Sequence, residues 1–266
     1  MLIDTHCHLD APEFAQDREA VIAESLANGV SAIVIPAVMR KNLTTVKQLA
    51  QQFDGGYYAL GIHPMYVRYA QDEDLAEVEQ AIQQALKEED RRLVAIGEIG
   101  LDFFVPEIKE GKERERQEYF YREQLKMAKK YQLPVLLHVR RSQDTLLKHL
   151  RQIQVPGGIA HAFNGSEQQA QAFIDLGFCL GFGGTLTFTR SLQIRRLATG
   201  IDLKHIVLET DAPDIPPAWL IGDNPRNSPA YLPRIAEVLA ELRGLSLAEI
   251  SEVTSANARR VLPRMV

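Results

Sequence analysis

The chain has 266 residues, of which 45% are hydrophobic and 24% are charged. This composition is typical of a folded globular protein and lacks the low hydrophobicity of disordered chains. The formal net charge of −5 argues against a surface that coats duplex DNA non-specifically, because such a surface needs many lysines and arginines.

Cysteine usage and apolar runs predict the compartment. Cys7 and Cys179 lie far apart in separate apolar segments, as is typical of free thiols in a reducing environment. No apolar run approaches the ~20 residues of a membrane-spanning helix, and no signal-peptide pattern precedes Asp4. We therefore expect a cytoplasmic protein with no membrane contact, and nothing indicates an obligate protein partner.

Short apolar segments of β type alternate with helical segments along the chain. Eight strands are predicted, at residues 2–4, 32–36, 57–62, 93–97, 134–137, 157–160, 177–182 and 205–209. Helices are predicted at residues 13–29, 42–53, 72–89 and 114–131, and a last one begins at Ser246. Asn42 is the expected N-cap of the second helix, and Ser246 with Glu249 forms a capping box.

This alternation predicts the fold class. Nearly continuous apolar strands between amphipathic helices indicate a parallel sheet covered by helices. Eight such units most simply close into a single (β/α)8 barrel of the TIM type. An open, doubly wound sheet is the alternative. No linker or internal repeat is evident, so one domain over residues 1–266 is expected.

The first strand is followed by two histidines, His6 and His8, in the stretch DTHCHLD. In an extended chain, positions i and i+2 face the same side, so the two rings would converge while Cys7 points away.

Metal-competent side chains also follow other predicted strands. The candidate ligands are His6, His8, Glu98, His138, His161 and Asp211. They fall at the carboxyl ends of strands 1, 4, 5, 6 and 8, the rim where barrel enzymes place their active sites. Buried charges are costly unless they are paired or bound to metal, so the set predicts a metal centre.

Six donors exceed the roughly four that one tetrahedral ion takes, which indicates two divalent cations. Glu98 is the expected bridge. One ion would bind His6, His8, Glu98 and Asp211, and the other Glu98, His138 and His161. The expected metals are zinc, manganese, cobalt or nickel, with magnesium less suited to imidazole ligands. Glu98 and Asp211 are the candidate catalytic residues, with Asp211 as general base or as the group that orients a metal-activated water.

Other residues near the rim are candidate substrate contacts. His63 follows strand 3, and Arg140 lies two positions after His138; for each a structural role is the alternative. Arg226 and Asn227 follow strand 8. Gly183 and Gly184, after strand 7, could cradle phosphate or simply form a turn. His149 is expected on a helix surface, and His205 at the opposite end of the barrel.

Motifs over essentially the whole chain resemble the TatD family of metal-dependent hydrolases, and most closely its YjjV-like branch. These motifs are DTHCHLD, GIHP, GEIGLD, PVLLHVR, HAFNGS, ETDAP, NSPAYL and TSANARRVL. The resemblance implies an amidohydrolase-like barrel, two divalent cations on the six ligands named above, and hydrolysis of phosphodiester bonds, chiefly in DNA and often from an end.

The chain departs from the family pattern in three rim loops. Arg141 stands where an acidic residue is common, Asp214 where an aromatic residue is frequent, and HAFNG replaces HCFSG. These differences affect the expected substrate rather than metal binding.

The sequence leaves three functions open. The first is a deoxyribonuclease or phosphodiesterase of exonuclease type, acting on nucleic-acid ends or on a small phosphodiester. An amidohydrolase or lactonase that acts on a small molecule could use the same ligands. A non-catalytic metal-binding protein is the third.

Overall fold

The computed structural model describes residues 1–223 and 225–265, in which strands and helices alternate from Leu2 onward. The strands are β1 Leu2–Asp4, β2 Val30–Pro36, β3 Gly56–Leu60, β4 Leu93–Asp102, β5 Val135–Arg140, β6 Gly158–Ala160, β7 Phe178–Phe182 and β8 Ile206–Leu208. The α-helices are α1 Arg18–Ala27, α2 Leu43–Ala50, α3 Asp72–Lys87, α4 Gly111–Tyr131, α5 Gln143–Gln152, α6 Glu167–Asp175, α7 Leu192–Gly200, α8 Leu232–Arg243 and α9 Leu247–Val261.

All eight strands form one parallel sheet in the order β1 to β8. Where β8 returns to β1, the backbone N–H and the hydroxyl of Thr5 both donate to the carbonyl of Leu208, each at 3.1 Å. The sheet is therefore a nearly closed barrel with helices between the strands. The predicted (β/α)8 fold is confirmed, and the open sheet was the wrong alternative.

Alternate positions along the strands pack into two layers. In β2, Ala32 and Val34 belong to the smaller buried cluster, whereas Ile33 and Ile35 pack with the residues of the helices. The smaller cluster also includes Leu262 and Met265, which follow α9. Because β strands alternate their faces, this smaller cluster is the barrel interior.

Two strands extend further than the sequence predicted. β4 continues through Glu98 to Asp102, and β5 continues through His138 to Arg140. The pairing register between β4 and β5 shifts between Ile96 and Ile99, where Gly97 and Glu98 interrupt the apolar run. The strand does not end there. Glu98 and His138 therefore lie within their strands rather than after them.

Two local features differ from the sequence expectation. Asn42 is the N-cap residue of α2 as predicted, but its side chain does not bond to the helix: its Oδ1 accepts from the N–H groups of Val38 and Met39, and its amide donates to Asp10. The prediction for His149 was wrong: it is buried rather than exposed, and its Nε2 pairs with Glu118 at 3.2 Å.

The capping box of Ser246 and Glu249 at the start of α9 is confirmed. Among residues 1–223 and 225–265, none of the helices has the length and apolar character that crossing a bilayer requires.

Candidate metal centre

A buried carboxylate fixes the rim where the barrel closes. Asp4, at the end of β1, accepts from the Thr210 N–H at 3.0 Å, from the Thr210 hydroxyl at 2.6 Å and from the His6 N–H at 3.2 Å. Burial raises the pKa of Asp4 to about 7. The N–H of Asp211 then donates to the His6 carbonyl at 2.8 Å. These bonds place the segment with His6 and His8 beside the segment with Asp211.

Glu98 lies at the centre of the histidines and points one oxygen at each of two groups. Its Oε2 is 3.0 Å from His6 Nε2 and 3.5 Å from His8 Nε2. Its Oε1 is 2.9 Å from His138 Nδ1 and 3.3 Å from His63 Nε2. The carboxylate is 1% exposed, so these rings replace solvent around it.

Asp211 and His161 form the other side of the centre. Asp211 Oδ1 is 3.6 Å from His6 Nε2 and 3.5 Å from His8 Nε2, while its Oδ2 is 3.5 Å from His161 Nε2. The rings of His6 and His161 stack with centroids 3.8 Å apart.

Ligand atoms converge in three groups of possible metal ligands. These groups are His6 with His8 and Glu98, His6 with His161 and Asp211, and His63 with Glu98 and His138. The structure thus brings all six predicted ligands together, but it places His161 against His6 and Asp211 rather than beside His138. Which ligand serves which ion stays a prediction.

Contacts between the carboxylates and the histidines shift the pKa values of the groups in this centre. Burial alone would raise the pKa of Glu98, but the adjacent histidines, His63 and His6 first, hold it well below its usual range. Burial would lower the pKa of His8, yet the hydrogen bonds that its Nε2 donates to Asp211 and Glu98 raise it to about 10. Glu98 is therefore ionised at neutral pH, and His8 is protonated.

His63 differs from the other histidines. Its Nδ1 accepts from the N–H of Met65 at 3.1 Å, and burial lowers its pKa to about 4. A neutral imidazole whose Nδ1 accepts carries its proton on Nε2. The nitrogen that faces Glu98 is then a hydrogen-bond donor, which fits a contact to a substrate oxygen better than a bond to metal.

Two acidic residues behind the histidines were missed by sequence reasoning. Asp102 Oδ2 is 3.0 Å from His138 Nε2, and Glu209 Oε1 is 2.9 Å from His161 Nδ1. Burial would raise the pKa of Asp102, but the bond to His138 lowers it to about 2. Asp102 ends the motif GEIGLD, four residues after Glu98, and Glu209 begins the motif ETDAP, two residues before Asp211. This closeness in sequence to predicted ligands was the signal that could have identified them.

The donor set suits divalent cations. The buried Nδ1 atom of His6 has no hydrogen-bond partner among the described residues. Unpaired polar atoms in a protein interior are costly, and ligand histidines with carboxylates behind them are the usual arrangement around transition metals. The imidazole and carboxylate donors fit zinc, manganese, cobalt or nickel.

The predicted substrate contacts lie at different places. Arg140 is near the centre, since its Nη1 is 3.9 Å from Asp102 Oδ2. Arg226 instead makes two bonds to the carboxylate of Asp17, at 2.8 and 2.7 Å, and joins the β8 loop to the β1 loop. Asn227 is fully buried and donates to the carbonyls of Thr210, Asp214 and Ile215.

The glycines after β7 are packed tightly against neighbouring backbone. A Cβ on Gly183 would lie 2.7 Å from the Glu209 carbonyl, and one on Gly184 would lie 2.1 Å from the Ile215 carbonyl. Close packing accounts for both glycines. His205 ends a short 3-10 helix before β8, at the opposite end of the barrel, as predicted.

Known proteins share this architecture and much of the sequence. A model of the family described as TatD related DNase matches residues 3–263. The chain is 41% identical over 251 residues to the uncharacterized metal-dependent hydrolase YjjV of Escherichia coli K12, covering 94% of this chain and 93% of that protein. It is 30% identical over 268 residues to human deoxyribonuclease TATDN3, covering 99% and 95% respectively.

The crystal structure of YJJV, a TatD homologue from Escherichia coli K12, superposes with a TM-score of 0.89 at 38% identity and covers 98% of each chain. With a family model that matches nearly its whole length, and with a relative 41% identical over nearly the whole of both chains, the chain belongs to the TatD family.

Proposed function

We propose that this protein is a divalent-metal-dependent hydrolase that cleaves phosphodiester bonds, as an exonuclease acting on DNA ends. The observation that carries the proposal is the position of Glu98, whose two oxygens face two separate groups of histidines. A carboxylate with one oxygen toward each of two ion sites is the bridge that a two-metal hydrolase needs. The family description and the human relative named deoxyribonuclease support the choice of DNA.

The proposed ligands are the six residues His6, His8, Glu98, His138, His161 and Asp211. Divalent ions bound there supply Lewis acidity and lower the pKa of a coordinated water toward neutrality. Ionised Glu98 and Asp211 compensate the positive charge of the ions.

The chain's own side chains have distinct roles. Burial would raise the pKa of Asp211, but His161 and His8 hold it below its usual range, so this carboxylate is ionised and accepts a hydrogen bond from the attacking water. His63 donates from Nε2 to a phosphate oxygen. The Arg140 guanidinium provides a charge-assisted bond to the same substrate.

The test is a hydrolysis panel with metal-reconstituted protein. The substrates are bis-p-nitrophenyl phosphate, 5′- and 3′-labelled single-stranded oligodeoxynucleotides, two amides and two lactones. Each is assayed with the wild type, with Glu98→Gln, and with Glu115→Gln, which removes an exposed carboxylate on α4.

We expect phosphodiester turnover in the wild type and in Glu115→Gln, and a loss of at least about a hundredfold in Glu98→Gln, since the bridging charge is removed. The labelled ends report the polarity. Turnover of amides or lactones with inert phosphodiesters would overturn the proposal in favour of a small-molecule amidohydrolase or lactonase. No turnover at full metal occupancy would favour a non-catalytic metal-binding protein.

A further inference from the structure

An exposed aromatic side chain lies against the two arginines at the second and third positions after His138. Phe104 is 42% exposed, although large apolar side chains are usually covered. The guanidinium carbon of Arg140 lies 4.0 Å from the Phe104 ring centroid, and that of Arg141 lies 4.7 Å from it. We call these three residues the Arg–Phe cluster.

The backbone conformation at Arg141 lets both arginines contact the Phe104 ring. Consecutive residues of an extended strand point to opposite faces, so Arg140 and Arg141 would normally diverge. Arg141 has a φ of 55°, in the left-handed region that a residue with a side chain rarely adopts. This conformation ends the alternation and brings the second guanidinium to the same ring.

The Arg–Phe cluster is held in place by buried hydrogen bonds. Asp102 Oδ1 accepts from the N–H groups of Phe104 at 2.8 Å and Val105 at 3.0 Å. The buried hydroxyl of Ser142 donates to the Leu101 carbonyl at 2.6 Å, directly after the two arginines. Because these side chains are already fixed before a ligand binds, binding costs them less conformational entropy.

Acidic groups compensate the charges of the cluster only weakly. Arg140 is 48% exposed, and its ion pair is a long one, 3.9 Å to Asp102, a carboxylate that also bonds to His138. Arg141 is exposed and makes no ion pair among the residues that the structure describes. In a chain with a net charge of −5, an unpaired Arg141 beside the weakly paired Arg140 is a local exception.

The cluster is also in contact with the metal centre. Asp102 joins them, because one of its oxygens lies near Arg140 and 3.0 Å from His138 Nε2, while His138 Nδ1 faces Glu98. A strand whose scissile phosphate lies at Glu98 can therefore extend over Phe104 and Arg141.

We propose that Arg141 and Phe104 form a subsite for single-stranded DNA. In this subsite the Arg141 guanidinium binds the phosphate next to the scissile one, and the Phe104 ring stacks on a base. Arginine combines both abilities, and aromatic side chains with adjacent cations bind single strands without sequence preference. This inference rests on the proposed phosphodiesterase function.

The test compares a long and a short phosphodiester in the same variants. Arg141→Asn removes the charge but keeps a residue that tolerates positive φ. Phe104→Leu removes the ring but keeps an apolar side chain, and Phe104→Tyr restores the ring. Arg91→Asn is the matched control, an exposed arginine at the opposite, amino-terminal end of β4.

We expect Arg141→Asn and Phe104→Leu to raise KM for a 12-nucleotide single strand about tenfold, with little change in kcat. The same variants keep their activity on bis-p-nitrophenyl phosphate, which is too short to reach the subsite. Phe104→Tyr and Arg91→Asn behave like the wild type. In Arg141→Asn the slope of log affinity against log salt falls by about 0.7, the value for one lost single-strand phosphate contact.

Unchanged oligonucleotide KM in Arg141→Asn and Phe104→Leu would overturn the subsite. Equal losses on both substrates would overturn it as well, because they would indicate a damaged metal centre. A wild type that cleaves neither substrate would refute the proposed function instead. Fluorescence anisotropy with a labelled oligonucleotide then decides the subsite separately: weaker binding by the two variants supports it, and equal binding contradicts it.

Discussion

Nε2 of His138 lies 3.0 Å from Oδ2 of Asp102, while the other ring nitrogen, Nδ1, lies 2.9 Å from Glu98. A carboxylate at Nε2 holds the proton there and leaves Nδ1 free to bind an ion. Asp102 therefore orients a candidate ligand and is not itself in any of the three groups of possible ligands.

The first prediction is that Asp102→Asn weakens metal binding about ten- to a hundredfold. The amide can still accept from the N–H groups of Phe104 and Val105, but its NH2 group would face Nε2 and favour the tautomer with the proton on Nδ1. Isothermal titration with Mn²⁺ or Zn²⁺ measures the affinity. Asp54→Asn, an exposed acid before a turn, is the control. Equal affinities in the two variants would contradict the orienting role.

The second prediction concerns the space behind His161. A Cβ on Gly181 would lie 2.2 Å from Glu209 Oε2, so Gly181→Ala must displace the carboxylate that pairs with His161 and accepts from the Ala162 N–H. We expect weaker metal binding with the barrel still folded. Gly200→Ala, where nothing lies within 4 Å of an added Cβ, should bind metal normally. If Gly181→Ala also binds normally, Glu209 does not position His161.

The third prediction separates structural from direct effects at Arg226. The two bonds between Arg226 and Asp17 join the neighbouring loops that follow β8 and β1. If this bridge is its role, then Arg226→Ala, Asp17→Ala and the double variant should change KM for an oligonucleotide by the same factor. A much larger effect of Arg226→Ala alone would show that the guanidinium contacts substrate directly. Steady-state kinetics on the three variants measures this difference.

The fourth prediction is that metal binding releases protons at pH 7. His8 has a pKa of about 10 in the ion-free protein, so it is protonated at pH 7, whereas a histidine must be neutral to bind metal. A raised pKa means that protons compete with the ion, so the affinity should increase as pH rises toward about 10. Calorimetry in two buffers of different ionisation enthalpy counts the protons. The same heat in both buffers would contradict this account.

The fold and most of the centre were predictable from the sequence because their signals are periodic or local. Eight apolar strands at regular intervals indicate a barrel, and a carboxylate or histidine just after such a run must lie on one rim. The rim also explains why residues as distant in sequence as His6 and Asp211 meet.

Other features depend on contacts that no local pattern encodes. Glu98 seemed to follow its strand because Gly97 and the charge of Glu98 end the apolar run, but the strand shifts its pairing register there and continues to Asp102. His149 seemed exposed because its partner, Glu118, lies on a different helix. Arg226 seemed free to bind substrate, since its partner Asp17 is about two hundred residues away in the chain.

The most direct test of the account is a metal titration of chelator-treated protein, with hydrolysis of bis-p-nitrophenyl phosphate followed at each added equivalent of Mn²⁺. The account predicts that activity rises with bound metal and reaches its maximum at about two ions per chain, the number that a bridging Glu98 implies. A protein that binds two ions and still cleaves no phosphodiester would contradict it.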